Sequence, residues 1–186
     1  MVMLLLGIIL FAGVHLIPSL APALRASWHG RMGDGGYKGT FSLLLLLAFA
    51  LIIIGWRSAQ PTFIYMPPPA LRHPAMGLLL IAFLLMVVSA RNSRLRQFIR
   101  HPQLTGVAVW GCAHLLINGD SRSLLLFGGM TLWALVEIVA INKREGAWVK
   151  GDVPSWAAEL TNLVIALLVV GLIVYIHPWI SGMPVS

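Results

Sequence analysis

The chain has 186 residues, of which 59% are apolar and 10% charged. Soluble domains carry about 45–50% apolar and ~25% charged residues, so a water-soluble globule is excluded, and a mean hydropathy of +0.88 makes the bilayer the solvent. The formal charge of +7 is then a topology signal rather than a nucleic-acid footprint, and the single cysteine, Cys112, excludes an intramolecular disulfide and any CxxC motif.

A spanning helix needs about 20 mainly apolar residues. Six stretches supply them or nearly so: 1–20, 39–57, 75–90, 103–118, 122–141 and 155–177. The first lacks the basic flank and small-residue cleavage site of a signal peptide and reads as a retained span. No alternation of a lipid-facing barrel strand is visible. The expectation is an all-α, polytopic integral membrane helix bundle of about six transmembrane helices, one domain over residues 1–186.

The cations orient it. Arg25, Arg31 and Lys38 fall between the first and second spans, Arg91, Arg94, Arg96 and Arg100 between the third and fourth, and Lys143, Arg144 and Lys150 between the fifth and sixth. Only Arg57, Arg72 and Arg122 belong to the other loops. The positive-inside rule places the basic loops in the cytoplasm and both termini on the non-cytoplasmic side. His29 sits in the first of these loops among Gly30, Gly33, Gly35 and Gly36. Residues 58–74 hold four prolines from Pro61 to Pro69, too many for a helix, with Phe63 to Met66 too apolar for water. This segment is expected at the outer interface, as an anchor or as a lid over a lateral entrance.

Of six histidines, His73, His101 and His177 precede prolines at span ends, where an interfacial cation and a helix-starting proline account for them. His15 and His114 lie inside hydrophobic spans, where an ionisable side chain is costly and marks a site. Tilt and ragged ends let their depths agree within ~10 Å, so a planar cofactor held between them is one expectation. The other is two neutral imidazoles, each satisfied by a neighbouring helix. Gly111, one turn before His114, leaves room for a macrocycle or for a close helix crossing, and Trp110 can pack on a cofactor edge. Pro18 frees a carbonyl to orient His15. Arg25, Arg31, Lys38 and Arg100 are candidate partners for acidic groups of the cofactor. Glu137, the one acid deep in a span, reads as a proton donor, a partner for Arg100 or a structural hydrogen bond. Glu159 reads as a cap or a stitch between helices.

Gly13-Val14-His15-Leu16-Ile17-Pro18-Ser19, Arg100-His101-Pro102-Gln103-Leu104-Thr105-Gly106, His114-Leu115-Leu116-Ile117-Asn118-Gly119-Asp120 and Lys143-Arg144-Glu145-Gly146 together resemble the NnrU family of bacterial inner-membrane proteins over nearly the whole chain. The resemblance implies an association with denitrification, through nitrite or nitric oxide reductase components. The family is similar to plant 15-cis-zeta-carotene isomerase, a membrane enzyme that uses haem b with histidine ligation. Carried over, that implies haem b as the cofactor, with His15 and His114 as metal ligands and Arg25, Arg100, Trp110 and Gly111 around it. Beyond the lipid bilayer and a reductase, no partner is implied, and no nucleic acid.

The Arg-His-Pro phrase at Arg100 is also similar to membrane methyltransferases acting on isoprenylcysteine or phospholipid. That alternative gives Arg100, His101 and Gly106 to S-adenosylmethionine and has Glu137 or Glu145 close the site. A non-catalytic assembly factor for a reductase is the third expectation.

Overall fold

The computed structural model describes residues 1–183. Six helices follow in order: α1 Val2–Leu20, α2 Pro22–Ser58, α3 Arg72–Ser89, α4 Pro102–Leu115, α5 Ser121–Glu145 and α6 Trp156–Ser181. All but α4 are long and apolar enough to cross a membrane. An isolated bridge between Phe63 and Asp120 is the one β pairing among the described residues.

Helix α1 packs against α2 and α5, α4 against α3 and α5, and α3 against α6. Lipid offers no hydrophobic drive between helices, so close backbone approach has to supply packing. Gly55 of α2 lies so near α1 that a Cβ there would sit 2.3 Å from the Leu4 amide nitrogen, and one on Gly7 would sit 2.8 Å from Ile52. Around this crossing Leu4, Ile8, Phe11, Ile52, Trp56, Phe127, Met130 and Trp133 form one buried cluster.

The helices alternate in direction. At one end Pro18 of α1 accepts from Arg144 of α5 at 3.0 Å, and His101 before α4 meets Asn142 of α5 at 2.9 Å. The loops carrying ten of the thirteen Lys and Arg gather here, at what is termed the basic end. At the distal end the Trp56 indole N–H donates to the Ser181 carbonyl at 3.0 Å while Gly55 touches Leu4, so the first and last helices start and finish together.

Two expectations from sequence change. The fourth span, expected over 103–118, is a helix of 14 residues, about 21 Å long against a hydrocarbon core of ~30 Å. The missing length is supplied by the proline-rich segment, which straps across the distal end of α4. The Ile64 and Tyr65 amides both donate to the Gly119 carbonyl, at 2.9 and 3.0 Å, and the Tyr65 hydroxyl donates to the carbonyls of Leu115 and Asn118. Carbonyls that the short helix orphans are thereby satisfied. Gly119 permits it, because a Cβ there would overlap the Tyr65 carbonyl.

The second difference is that residues 22–38 are not a loop. Helix α2 begins at Pro22 and bends at Gly33, whose φ of 67° is left-handed and suits glycine. The arm 22–32 folds back on the next turn, so that the Trp28 ring lies 5.0 Å from Tyr37 and 6.4 Å from Phe41. As expected, His73–Pro74 and His177–Pro178 lie at span ends, in the first turn of α3 and the last turn of α6, and Pro102 opens α4.

Helix α5 starts on Asp120, whose carboxylate accepts from the Arg122 and Ser123 amides at 3.0 Å each. It then passes through a π-type turn over Leu124–Gly128. Helix α6 is peripheral, burying Asn162 and Ala166. Polar contacts hold it, as Glu159 was expected to do. That carboxylate accepts from Ser93 at 3.0 Å and from the Arg94 amide at 2.6 Å, and Asn162 accepts from Arg91 at 2.6 Å.

Candidate functional site

Helices α1 and α5 run parallel, and their one-turn spacings match. His15 faces Trp133 with ring centres 5.1 Å apart, and one turn on, the Ser19 hydroxyl donates to Glu137 Oε1 at 2.5 Å. Both pairs are 118 residues apart in sequence, so the two contacts are successive rungs of one ladder. The His15 ring also meets Phe11 at 4.2 Å and Phe41 of α2 at 5.7 Å. Its Nδ1 lies 2.9 Å from the Phe11 carbonyl. A carbonyl only accepts, so Nδ1 carries the proton and Nε2 keeps its lone pair. The orienting carbonyl is therefore one turn before His15, not the one freed by Pro18.

Two buried polar atoms beside this ladder have no partner: Glu137 Oε2 and the Trp133 indole nitrogen. Both residues are buried, 6% and 7% exposed, and among the described residues nothing satisfies these two atoms. Glu137 is thus hydrogen-bonded to Ser19, and Arg100 is not its partner.

The ladder leads to a cavity at the basic end of about 470 Å³, bounded by Pro18, Pro22, Arg25, Lys38, Phe41 and Arg144. Arg25 comes from the folded-back arm of α2, Lys38 from beyond the Gly33 bend and Arg144 from the last turn of α5. Lys38 pairs with Asp34 at 2.7 Å and Arg144 with Glu145 at 3.1 Å, whereas no carboxylate among the described residues lies within ion-pair reach of Arg25. Lys38 holds the Asp34 carboxyl below its ordinary range, with His29 at 3.5 Å adding to this.

His114 belongs to a different nest. Its ring stacks on Phe127 at 4.2 Å and lies 4.9 Å from Trp110, and its Nδ1 meets the Trp110 carbonyl at 3.0 Å. The imidazole has the same tautomer and the same free Nε2 as His15, but on α4. The structure does not bring the two histidines together. Their partners on α5, Trp133 and Phe127, are six residues apart, ~9 Å along the axis, and both belong to the buried cluster that also holds Phe11 and Met130.

Other predicted site residues also find ordinary neighbours. Gly111 makes no room for a macrocycle, because a Cβ there would sit 2.1 Å from the Thr131 hydroxyl and 2.7 Å from the Phe127 carbonyl; it is a helix crossing with α5. Trp110 packs edge-on against Phe127 at 4.9 Å, not against open space. Arg100 donates to the Gly146 carbonyl at 2.8 Å and lies 3.4 Å from Glu145, closing the α5–α6 loop, while His101 is taken up by Asn142. The residues a methyl donor would need are engaged in the fold. Cys112 is exposed. Arg144 and Ser19 were not singled out from sequence, and the one hint for Arg144 is its position two turns beyond Glu137, on the same face.

A family model described as NnrU protein matches residues 3–185. The chain belongs to the NnrU family. No curated protein and no solved structure matches it, so the roles of residues in this NnrU protein rest on its own geometry.

Proposed function

We propose that this NnrU-family chain is a multi-pass protein of the bacterial inner membrane that holds haem b at His15 and takes part in redox or isomerase-type chemistry linked to denitrification, alongside nitrite or nitric oxide reductase components. The gathering of ten cations at one end supports an orientation with that end in the cytoplasm and both termini outside.

One observation carries the haem reading. His15 is half buried in an aromatic nest with Nδ1 committed to a carbonyl and Nε2 free, the state in which histidine ligates a metal. His15 would hold the haem iron through this nitrogen. We favour His15 alone over a haem clamped between His15 and His114, since each ring keeps its own aromatic neighbours on a different helix. When bound, haem iron supplies one-electron or Lewis-acid chemistry. The chain's own part is to fix the imidazole through Phe11, to exclude water with Trp133 and Phe41, and to hold Glu137 by its Ser19 bond so that Oε2 points free.

Full-length protein purified in detergent from haem-replete cells is expected to show a Soret band that His15→Ala abolishes and His114→Ala retains. Loss in both variants would restore bis-histidine ligation. A colourless wild-type preparation would remove haem from the account. Co-purification with a reductase and normal complementation by His15→Ala would then favour an assembly role.

A further inference from the structure

The cavity at the basic end has the features of a head-group site. Cations converge on it from three chain segments: Arg25 from the folded-back arm, Lys38 from beyond the bend, and Arg144 from α5. Lys38 and Arg144 are already paired, with Asp34 at 2.7 Å and Glu145 at 3.1 Å, whereas among the described residues Arg25 has only the Tyr37 ring, 5.8 Å away. The arm contributes more than Arg25. Its first residue, Pro22, lines the cavity, and its N-cap is Ala21, whose methyl cannot accept from the first-turn amides. Pro22 has no amide hydrogen and the Arg25 amide donates to the Ala21 carbonyl at 3.1 Å, which leaves the Ala23 and Leu24 amides as the positive end of the arm. Ser42 and Tyr37, also in the lining, bring two hydroxyl groups.

An anion with several acceptor oxygens answers this arrangement, because donors that converge from different directions are matched by a tetrahedral phosphate. The surroundings say what is attached to it. Immediately beyond Ser42, α2 descends through Leu43, Leu46 and Leu47, which are 65%, 66% and 50% exposed and form an apolar lane starting at the cavity. On the arm side, Leu20 and Leu24 flank the entrance, also exposed.

We propose that this cavity binds the phosphate head of an amphiphile whose acyl or isoprenyl chain runs down the Leu43–Leu46–Leu47 face. A dianionic or monoester head neutralises Arg25, whereas a zwitterionic head brings its own cation into a basic rim and is disfavoured. Inorganic phosphate shares the head chemistry and lacks the tail. The proposal is independent of haem, since His15 does not line the cavity.

The test is calorimetric titration of full-length protein in detergent with dihexanoyl phosphatidic acid, dihexanoyl phosphatidylcholine and inorganic phosphate. Phosphatidic acid is expected to bind at least about tenfold more tightly than either of the others. Arg25→Ala should weaken it about tenfold or more, the usual size of a lost charge-assisted hydrogen bond. Arg25→Lys should recover part of the loss, and Arg72→Ala, at the distal end, should change nothing. Leu46→Gln should weaken phosphatidic acid and leave inorganic phosphate unaffected. His15→Ala should bind phosphatidic acid as wild type does, and a colourless wild-type preparation that still binds it overturns the haem reading alone. Equal binding of phosphatidic acid and phosphatidylcholine, or an unchanged affinity in a folded Arg25→Ala protein, overturns the proposal. Inorganic phosphate binding as tightly as phosphatidic acid would show a free-anion site and remove the amphiphile.

Discussion

Ser19 and Glu137 meet at 2.5 Å although 118 residues separate them, and this one bond fixes how far α1 has advanced along α5. The same offset sets His15 against Trp133, so the buried carboxyl and the imidazole are placed by a common register. Ser19→Ala would leave both Glu137 oxygens without partners in a nearly dry place, at a cost of about 1–3 kcal/mol. Glu137→Gln keeps an acceptor for Ser19 and should lose less than Glu137→Ala. Thermal unfolding of the detergent-solubilised protein ranks the three, and equal stability of Ser19→Ala and wild type would contradict the bond's structural role.

Gly119→Ala should be among the most damaging single substitutions. The added methyl overlaps the Tyr65 carbonyl, so the strap must lift and the carbonyls at the end of α4 lose their donors. Tyr65→Phe removes only the hydroxyl and should cost about 1–3 kcal/mol. Limited proteolysis checks both, with faster cleavage in residues 58–74 expected for Gly119→Ala and a smaller acceleration for Tyr65→Phe.

Gly111→Ala distinguishes a crossing from a cofactor gap. Because α5 already occupies the space, the substitution should destabilise the protein by about 1–3 kcal/mol whether or not pigment is present. A variant with wild-type melting behaviour and altered absorption would show that the space belongs to a ligand.

Arg100→Ala should be mild. The side chain meets a carbonyl and a half-exposed carboxylate, contacts worth about 0–1 kcal/mol for such a pair. S-adenosylmethionine should not bind wild-type protein detectably in equilibrium dialysis; binding that Arg100→Ala abolishes would revive the methyltransferase.

The spans, the basic end and the helix start at Pro102 were legible because each is written in local composition: apolar length, loop cations, and a proline where a lost amide hydrogen costs nothing. The shortness of α4 was not. Leu115 to Ile117 look like more of the same helix, and what ends it is Gly119 accepting two amides from a segment fifty residues earlier. Residues 22–38 misled for a related reason. Gly30, Gly33, Gly35 and Gly36 suggest a loop, yet only Gly33 uses its freedom, and one left-handed residue is enough to turn a helix back on itself. His15 and His114 stand out in the sequence as ionisable groups within apolar spans, but their spacing across helices depends on how α1, α4 and α5 are set against one another, which no local pattern encodes. The Ser19–Glu137 contact is hidden by the same long separation.

The π-type turn in α5 adds one residue between the stretch that serves the distal end and the stretch that serves the basic end. Ahead of it, Asp120 and Arg122 deal with the strap and Trp56; behind it, Trp133, Glu137 and Arg144 deal with α1 and the cavity. One residue is about 100° of helical rotation, and the wider turn takes up most of it, so removing a single leucine from Leu124–Leu126 would close the bulge to an ordinary helix while leaving composition and hydropathy almost untouched. The bulge thus acts as a phase adjuster, letting two teams of side chains on one helix answer to different neighbours without a break in the span.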